Sequence, residues 1–215
     1  PVDTFLVYGS DTLFIDETEY YEGIIRDSIP LRKNAAYRLL QRLSSETEID
    51  ISSNLNINTL EPLSRMGELR KVNCSGTLID DLSPLRSLIG IESLDCSGTA
   101  ITSIAPLQYS VSLKSLDLSY TRLEDLHLVA NLRNLEKLNI SNTPSDSVDM
   151  LAGMVNLGDL RMSNTLVRDI SPLAKLRNLR ILNFSGTPVN DLGPLQPLQS
   201  LEWLYISNTA VDDLT

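Results

Sequence analysis

Histidine, cysteine and tryptophan are nearly missing from this chain, which has one His, two Cys and one Trp in 215 residues. Two cysteines in a chain of this size are no disulfide framework. Aromatic residues make up only 5% of the sequence, leaving few platforms on which single-stranded bases could stack. Basic residues are also scarce: 18 Lys and Arg face 28 Asp and Glu, for a formal charge of -10 and an isoelectric point near 4.6. Binding to nucleic acid depends on cations that neutralise phosphates, so this balance argues against it and favours a neutral or cationic partner. No apolar run approaches the roughly 18 residues of a membrane helix, so membrane insertion is not expected. G-x-S-x-G and Walker-type loops are absent as well, and so is a paired-carboxylate constellation with a cofactor site. The sequence opens at Pro1 with no signal-peptide pattern, which reads as an excised or processed piece and leaves localisation open. What the chain does have is 42% hydrophobic residues, enough to build a core.

Those hydrophobic residues recur with a period. Thr77, Thr99, Thr121, Thr143, Thr165, Thr187 and Thr209 follow one another at an interval of 22, each two residues after a Ser. Three before each Thr stands Cys74, Cys96, Leu118, Ile140, Met162, Phe184 or Ile206. Five before it stands Val72 or a Leu, and eight before it another Leu or Ile91. The frame is L-x-x-L-x-L-S-x-T-x-I, and an imperfect first copy with one extra residue runs through Ile49, Ile51, Asn54, Ile57, Leu60 and Leu63. Eight repeats result, the last one cut short.

This frame resembles the leucine-rich-repeat family, L-x-x-L-x-L-x-x-N-x-L, with Thr in the Asn place. The segments Asp81-Leu82-Ser83-Pro84-Leu85, Asp169-Ile170-Ser171-Pro172-Leu173 and Asp191-Leu192-Gly193-Pro194-Leu195 look like the 22-residue class of bacterial internalins. Related short repeats occur in a eukaryotic protein phosphatase regulator. The resemblance implies an α/β solenoid, a right-handed horseshoe with a parallel concave sheet and a convex side of short 3₁₀ turns or extended segments. It also implies a protein-interaction module, part of a bacterial surface, secreted or periplasmic protein.

Elementary geometry gives the same picture. Alternation at Val72-Asn73-Cys74-Ser75 sends 72 and 74 to one face of a strand and 71, 73 and 75 to the other. Eight such strands at about 4.8 Å would make a sheet roughly 35 Å long with one solvated face. Ser83 before Pro84 predicts a helical turn with Ser as N-cap. The Thr column is expected to be structural, each hydroxyl bonding backbone groups of the neighbouring turn and so stacking the repeats. The Ser column reads as rim or filler. Cys74 and Cys96 read as small core residues, with a disulfide between neighbouring strands geometrically conceivable and metal ligation lacking partners. His127 is expected on the convex side as a surface residue or cap.

Residues 1–45 lie outside the repeat and are expected to form a cap. Thr4–Tyr8 and Thr12–Ile15 read as a hairpin, and Ala35–Leu43 as a helix capped by Asn34 that seals the first repeat. The solenoid is then 46–215. No cap sequence follows the last repeat, so the natural protein is expected to continue, or the exposed end to associate.

Function falls to the solvent-facing strand positions. One column reads Lys71, Ser93, Ser115, Lys137, Asp159, Ile181, Trp203; the next reads Asn73, Asp95, Asp117, Asn139, Arg161, Asn183, Tyr205. The early strands offer Asp95 and Asp117. The late strands gather Arg161, Ile181, Trp203 and Tyr205, and Trp, Tyr and Arg are the types enriched in binding hot spots. The expectation is a non-catalytic module that needs no cofactor or metal and binds a protein on its concave face through these six residues. The alternatives are a structural spacer between domains and an intracellular regulatory scaffold.

Overall fold

The computed structural model describes residues 4–8, 11–15 and 46–212. Strands β1 (Thr4–Tyr8) and β2 (Asp11–Ile15) pair antiparallel, and β1 also runs antiparallel to β3 (Glu48–Asp50). The expected helix at 35–43 lies outside the described residues.

From β3 onward the chain repeats one operation. Three-residue strands follow as β4 (Lys71–Asn73), β5 (Ser93–Asp95), β6 (Ser115–Asp117), β7 (Lys137–Asn139), β8 (Asp159–Arg161), β9 (Ile181–Asn183) and β10 (Trp203–Tyr205). Each of these seven is parallel to the strand before it, giving a right-handed solenoid horseshoe with one open sheet. Register follows the repeat, with Val72, Leu94, Leu116, Leu138, Leu160, Leu182 and Leu204 side by side. The extra residue of the first repeat shows as a step of 23 between Ile49 and Val72. Among the described residues, no helix is long and apolar enough to cross a membrane.

Each repeat turns inward on the same apolar columns. In the third repeat, Ile91, Leu94, Cys96, Ile101, Ile104 and Leu107 are all at most 2% exposed. The return side carries single 3₁₀ turns such as Ser83–Leu85, Ala105–Leu107 and Ser171–Lys175, because 22 residues leave no length for a longer helix.

Two expectations about polar columns are corrected. Ser83 is not the cap of its turn but its first residue, and the Asp81 carboxylate accepts the Ser83 N–H at 2.8 Å. Thr59, Ser103, Asp125, Ser147, Asp169 and Asp191 do the same for the residue two ahead, a side-chain-capped turn recurring every 22 residues. The Ser83 and Ser171 hydroxyls with their backbone N–H groups, and the backbone and ring of His127, hold the carboxyl groups of Asp81, Asp169 and Asp125 below the ordinary range. His127 starts one such turn, exposed and against Asp125. The Thr hydroxyls, in turn, do not reach a neighbouring repeat. Each donates to the carbonyl three residues back in its own repeat, from Thr77 to Cys74 O at 2.6 Å through Thr209 to Ile206 O at 2.9 Å. The column closes the corner of each coil. Stacking between coils is instead done by backbone bonds, such as Leu78 N–H to Ile57 O and Ala100 N–H to Ile79 O, and by an Asn row elsewhere. Asn134, Asn156 and Asn178 donate from Nδ2 to the carbonyls of Val111, Arg133 and Val155, each 23 residues back.

Between the Ser and Thr columns the backbone passes through the left-handed region in every repeat, at Ser53, Gly76, Gly98, Tyr120, Asn142, Asn164, Gly186 and Asn208. Seven of these are Gly, Asn or Ser; Tyr120, at φ 57°, is the bulky exception.

Candidate functional site

The open sheet face is lined by residues 71, 73 and their equivalents, but its two halves differ in chemistry. In β4 to β7 the Asn and Asp side chains turn back onto the chain that carries them. Asp95 Oδ1 accepts from both Ser97 N–H and Ser97 Oγ, at 2.9 and 2.7 Å, and Asp117 Oδ1 does the same with Ser119 at 2.9 and 2.6 Å. Asp117 Oδ2 accepts from Asn139 Nδ2 at 2.8 Å. Asn73, Asn139 and Asn183 likewise accept the N–H of Ser75, Ser141 and Ser185. The Asx–x–Ser pair thus ends each strand by supplying an acceptor where the ladder stops. Asp95 and Asp117 sit in the predicted face, half-buried and committed to this turn. The Ser column, read as filler, is the other half of it.

At β8 and β10 the column changes to Arg161 and Tyr205, and this turn acceptor is lost. Ser163 N–H goes to Ser141 Oγ of the preceding repeat instead, at 3.2 Å. Arg161 lies along its own strand, with Nε and Nη2 each 3.1 Å from the Asp159 carboxylate, which keeps the guanidinium charged above its ordinary range. Register sets Ile181 beside Asp159 and Trp203, and Asn183 beside Arg161 and Tyr205. Arg161, Ile181, Asn183, Trp203 and Tyr205 therefore surround one hollow of about 260 Å³. Trp203 is 57% exposed and Tyr205 47%. Four of the six predicted site residues meet here, and Asp95 and Asp117 do not line it.

Beside this hollow a larger one, about 890 Å³, runs along the entry edge of the strands and shares Ile181 and Trp203 with it. Its walls carry inter-repeat ion pairs that sequence reasoning passed over. Lys114 Nζ meets Glu92 at 2.7 Å, and Arg180 grips Glu202 with Nε at 2.8 Å and Nη2 at 3.0 Å. Each pair holds its acid below and its base above the ordinary value. The signal was available, since each partner stands 22 residues from the other in a column one place before the strand.

Cys74 and Cys96 are free and buried; Cys74 Sγ donates to Asp95 O at 3.3 Å, and the neighbouring Cys74 thiol together with burial pushes the Cys96 thiol well up. Among the described residues, no group of three or more His, Cys, Asp and Glu could hold a metal ion.

With this geometry in view, likeness to known proteins is specific. The family described as "Leucine Rich repeats (2 copies)" matches residues 111–153. An internalin (inlF) of Listeria monocytogenes superposes with a TM-score of 0.77 at 26% identity, over 81% of this chain and 51% of that one. The chain is an internalin-like leucine-rich-repeat protein. The internalin C2 (inlC2) of the same organism gives 0.75 at 28% identity, over 78% of this chain and 74% of that one. The functional domain of InlJ, also from Listeria monocytogenes, which includes a cysteine ladder, shares the fold at 22% identity and a TM-score of 0.59, over 78% of this chain and 43% of that one. No curated protein matches the chain in sequence. The repeat protein spans about half the length of the inlF structure it resembles. Its architecture is the extended concave surface that solenoids use for binding.

Proposed function

We propose that the chain is a non-catalytic protein–protein interaction module, within a larger bacterial surface or secreted protein, whose partner docks on the concave face at β8 to β10. One observation carries the reading: Arg161, Ile181, Trp203 and Tyr205 converge on one hollow and expose the only Trp of the chain. These types dominate binding energy where they are rigid and can be desolvated. Likeness to Listeria internalins supports the bacterial setting. In this reading residues 1–45 cap the solenoid of 46–215, and no cofactor is needed. The side of β10 away from β9, where Leu204 is 39% exposed, offers a second contact.

The test is a selection of randomised 12-residue displayed peptides on the immobilised chain, followed by rebinding to a variant carrying Arg161→Ala, Trp203→Ala and Tyr205→Ala. The reading expects the enriched peptides to lose at least ten-fold in affinity. Equal binding to both proteins would move the site off this end of the sheet.

A further inference from the structure

The column one place before each strand reads Arg70, Glu92, Lys114, Glu136, Gly158, Arg180, Glu202. Its charges pair sideways between repeats: Glu92 with Lys114 at 2.7 Å, Arg180 with Glu202 at 2.8 Å. Glu136 stands where Glu92 stands two repeats earlier, and Gly158 stands where Lys114 does. The side chain that would complete the third pair is missing. Glu136 is exposed, and its carboxylate, unlike its backbone, makes no hydrogen bond or ion pair among the described residues; Lys114, though drawn electrostatically to it, is held by Glu92. Arg180 on the far side of the gap is already neutralised by Glu202.

Backbone does not require glycine at this place. Gly158 has no positive φ, and a Cβ there would meet only Asn178 O at 3.6 Å and Glu136 O at 3.7 Å, which is ordinary contact. What the missing side chain leaves is space, because Glu136, Gly158, Arg180 and Trp203 all line the hollow of about 890 Å³. We infer that this hollow receives a Lys or Arg side chain of the protein partner, which pairs with Glu136 in the place Lys114 takes beside Glu92. A basic side chain suits the site in shape as well, since its methylene stem would lie along Ile181 and the Trp203 ring while its charge reaches the carboxylate. Lys137, the other charge of the hollow without a hydrogen-bonded partner among the described residues, lies across register from Asp159 and would not be used. The inference rests on the partner-binding reading above and adds the chemistry of the contact.

The peptides enriched from the 12-residue library supply the probe, restricted to those without Trp so that emission from Trp203 reports binding to the full chain. The expected peptides carry a Lys or Arg whose replacement by Ala weakens binding at least five-fold. Glu136→Gln should weaken them by a similar factor, with no further loss when both changes are combined. Gly158→Lys, which fills the gap from within, should abolish binding, whereas Gly158→Ala and Lys137→Ala should not reduce it; circular dichroism would verify that each variant is folded. Peptides that lack a basic residue, or that ignore Glu136→Gln and Gly158→Lys yet are lost with the triple Arg161, Trp203, Tyr205 variant, would overturn this inference and leave the broader reading intact. Peptides indifferent to every variant, or a selection without enrichment, would overturn both.

Discussion

The two halves of the concave face are built on one backbone and differ in what their polar side chains bond to. From β4 to β7 its polar side chains bond to each other and to the strand ends, as Asp117 does with Ser119 and Asn139. From β8 to β10 the equivalent positions give up that turn chemistry at Arg161 and Tyr205, while Trp203 and Tyr205 stand open to solvent. A repeat that departs from its own structural pattern while its backbone stays in register has gained freedom at that position for another purpose. The difference separates polar residues that hold the coil from those that can serve a partner, a distinction that side-chain type alone does not make.

Several substitutions would break or sharpen this contrast. The largest effect is expected in the shared core. Leu116, 1% exposed in the middle of the sheet, should cost about 3 kcal/mol when replaced by Ala, and Leu204, 39% exposed at β10, less than half as much. Denaturant midpoints of the two variants measure this, and equal losses would mean that β10 is as well packed as β6. Next comes the corner of a coil. The hydroxyl of Thr143 donates to Ile140 O at 2.7 Å and lies 2.9 Å from Ser145 Oγ, itself a buried polar residue in a column that elsewhere holds Ile, Leu or Val. Thr143→Val keeps the shape and strips both bonds, so a loss of roughly 1–3 kcal/mol is expected; unchanged stability would show that the hydroxyl column is dispensable. The smallest effect has the opposite sign. Tyr120 holds a left-handed φ with its ring 67% exposed, and Tyr120→Asn, the residue found at 142, 164 and 208, should raise stability by about 0.5 kcal/mol. A destabilised variant would show that the ring packs usefully where it lies.

Much of this coil was legible in the residues because burial on one face of a three-residue strand imposes a strict period. Val72, Cys74 and their successors could face only inward once the interval of 22 was seen. The direction of a hydroxyl was not legible: in a stack of coils a carbonyl of Thr143's own repeat and one of its neighbour's are both compatible with the sequence, and the structure shows Ile140 as the acceptor. Ser83 looked like the cap because Pro follows it, but the capping place is two residues before the turn's first residue, where Asp81 stands and where Thr59, Ser103 and Ser147 do the same. Asp95 and Asp117 read as free carboxylates because a column was followed from strand to strand, whereas their partners Ser97 and Ser119 lie along the chain. Gly158 was invisible for a related reason. An absent side chain marks nothing until the residues 22 before and after it are set beside it and found to be charged.

The central claim is that Asn or Asp is the structural residue at the second outward position of each strand, and that Arg161 is there for a partner. Denaturation of Arg161→Asn beside Asp117→Ala tests it directly. Asn at 161 would give Ser163 N–H the acceptor that Asn139 and Asn183 provide to Ser141 and Ser185, at the expense of one ion pair, 52% exposed at Arg161 and 15% at Asp159, worth about 1 kcal/mol. The account predicts that Arg161→Asn is as stable as the parent or more so, while Asp117→Ala loses about 1–2 kcal/mol with its turn. An Arg161→Asn protein weakened by more than about 1 kcal/mol, beside an Asp117→Ala protein that melts like the parent, would reverse the roles assigned to the two halves of the face.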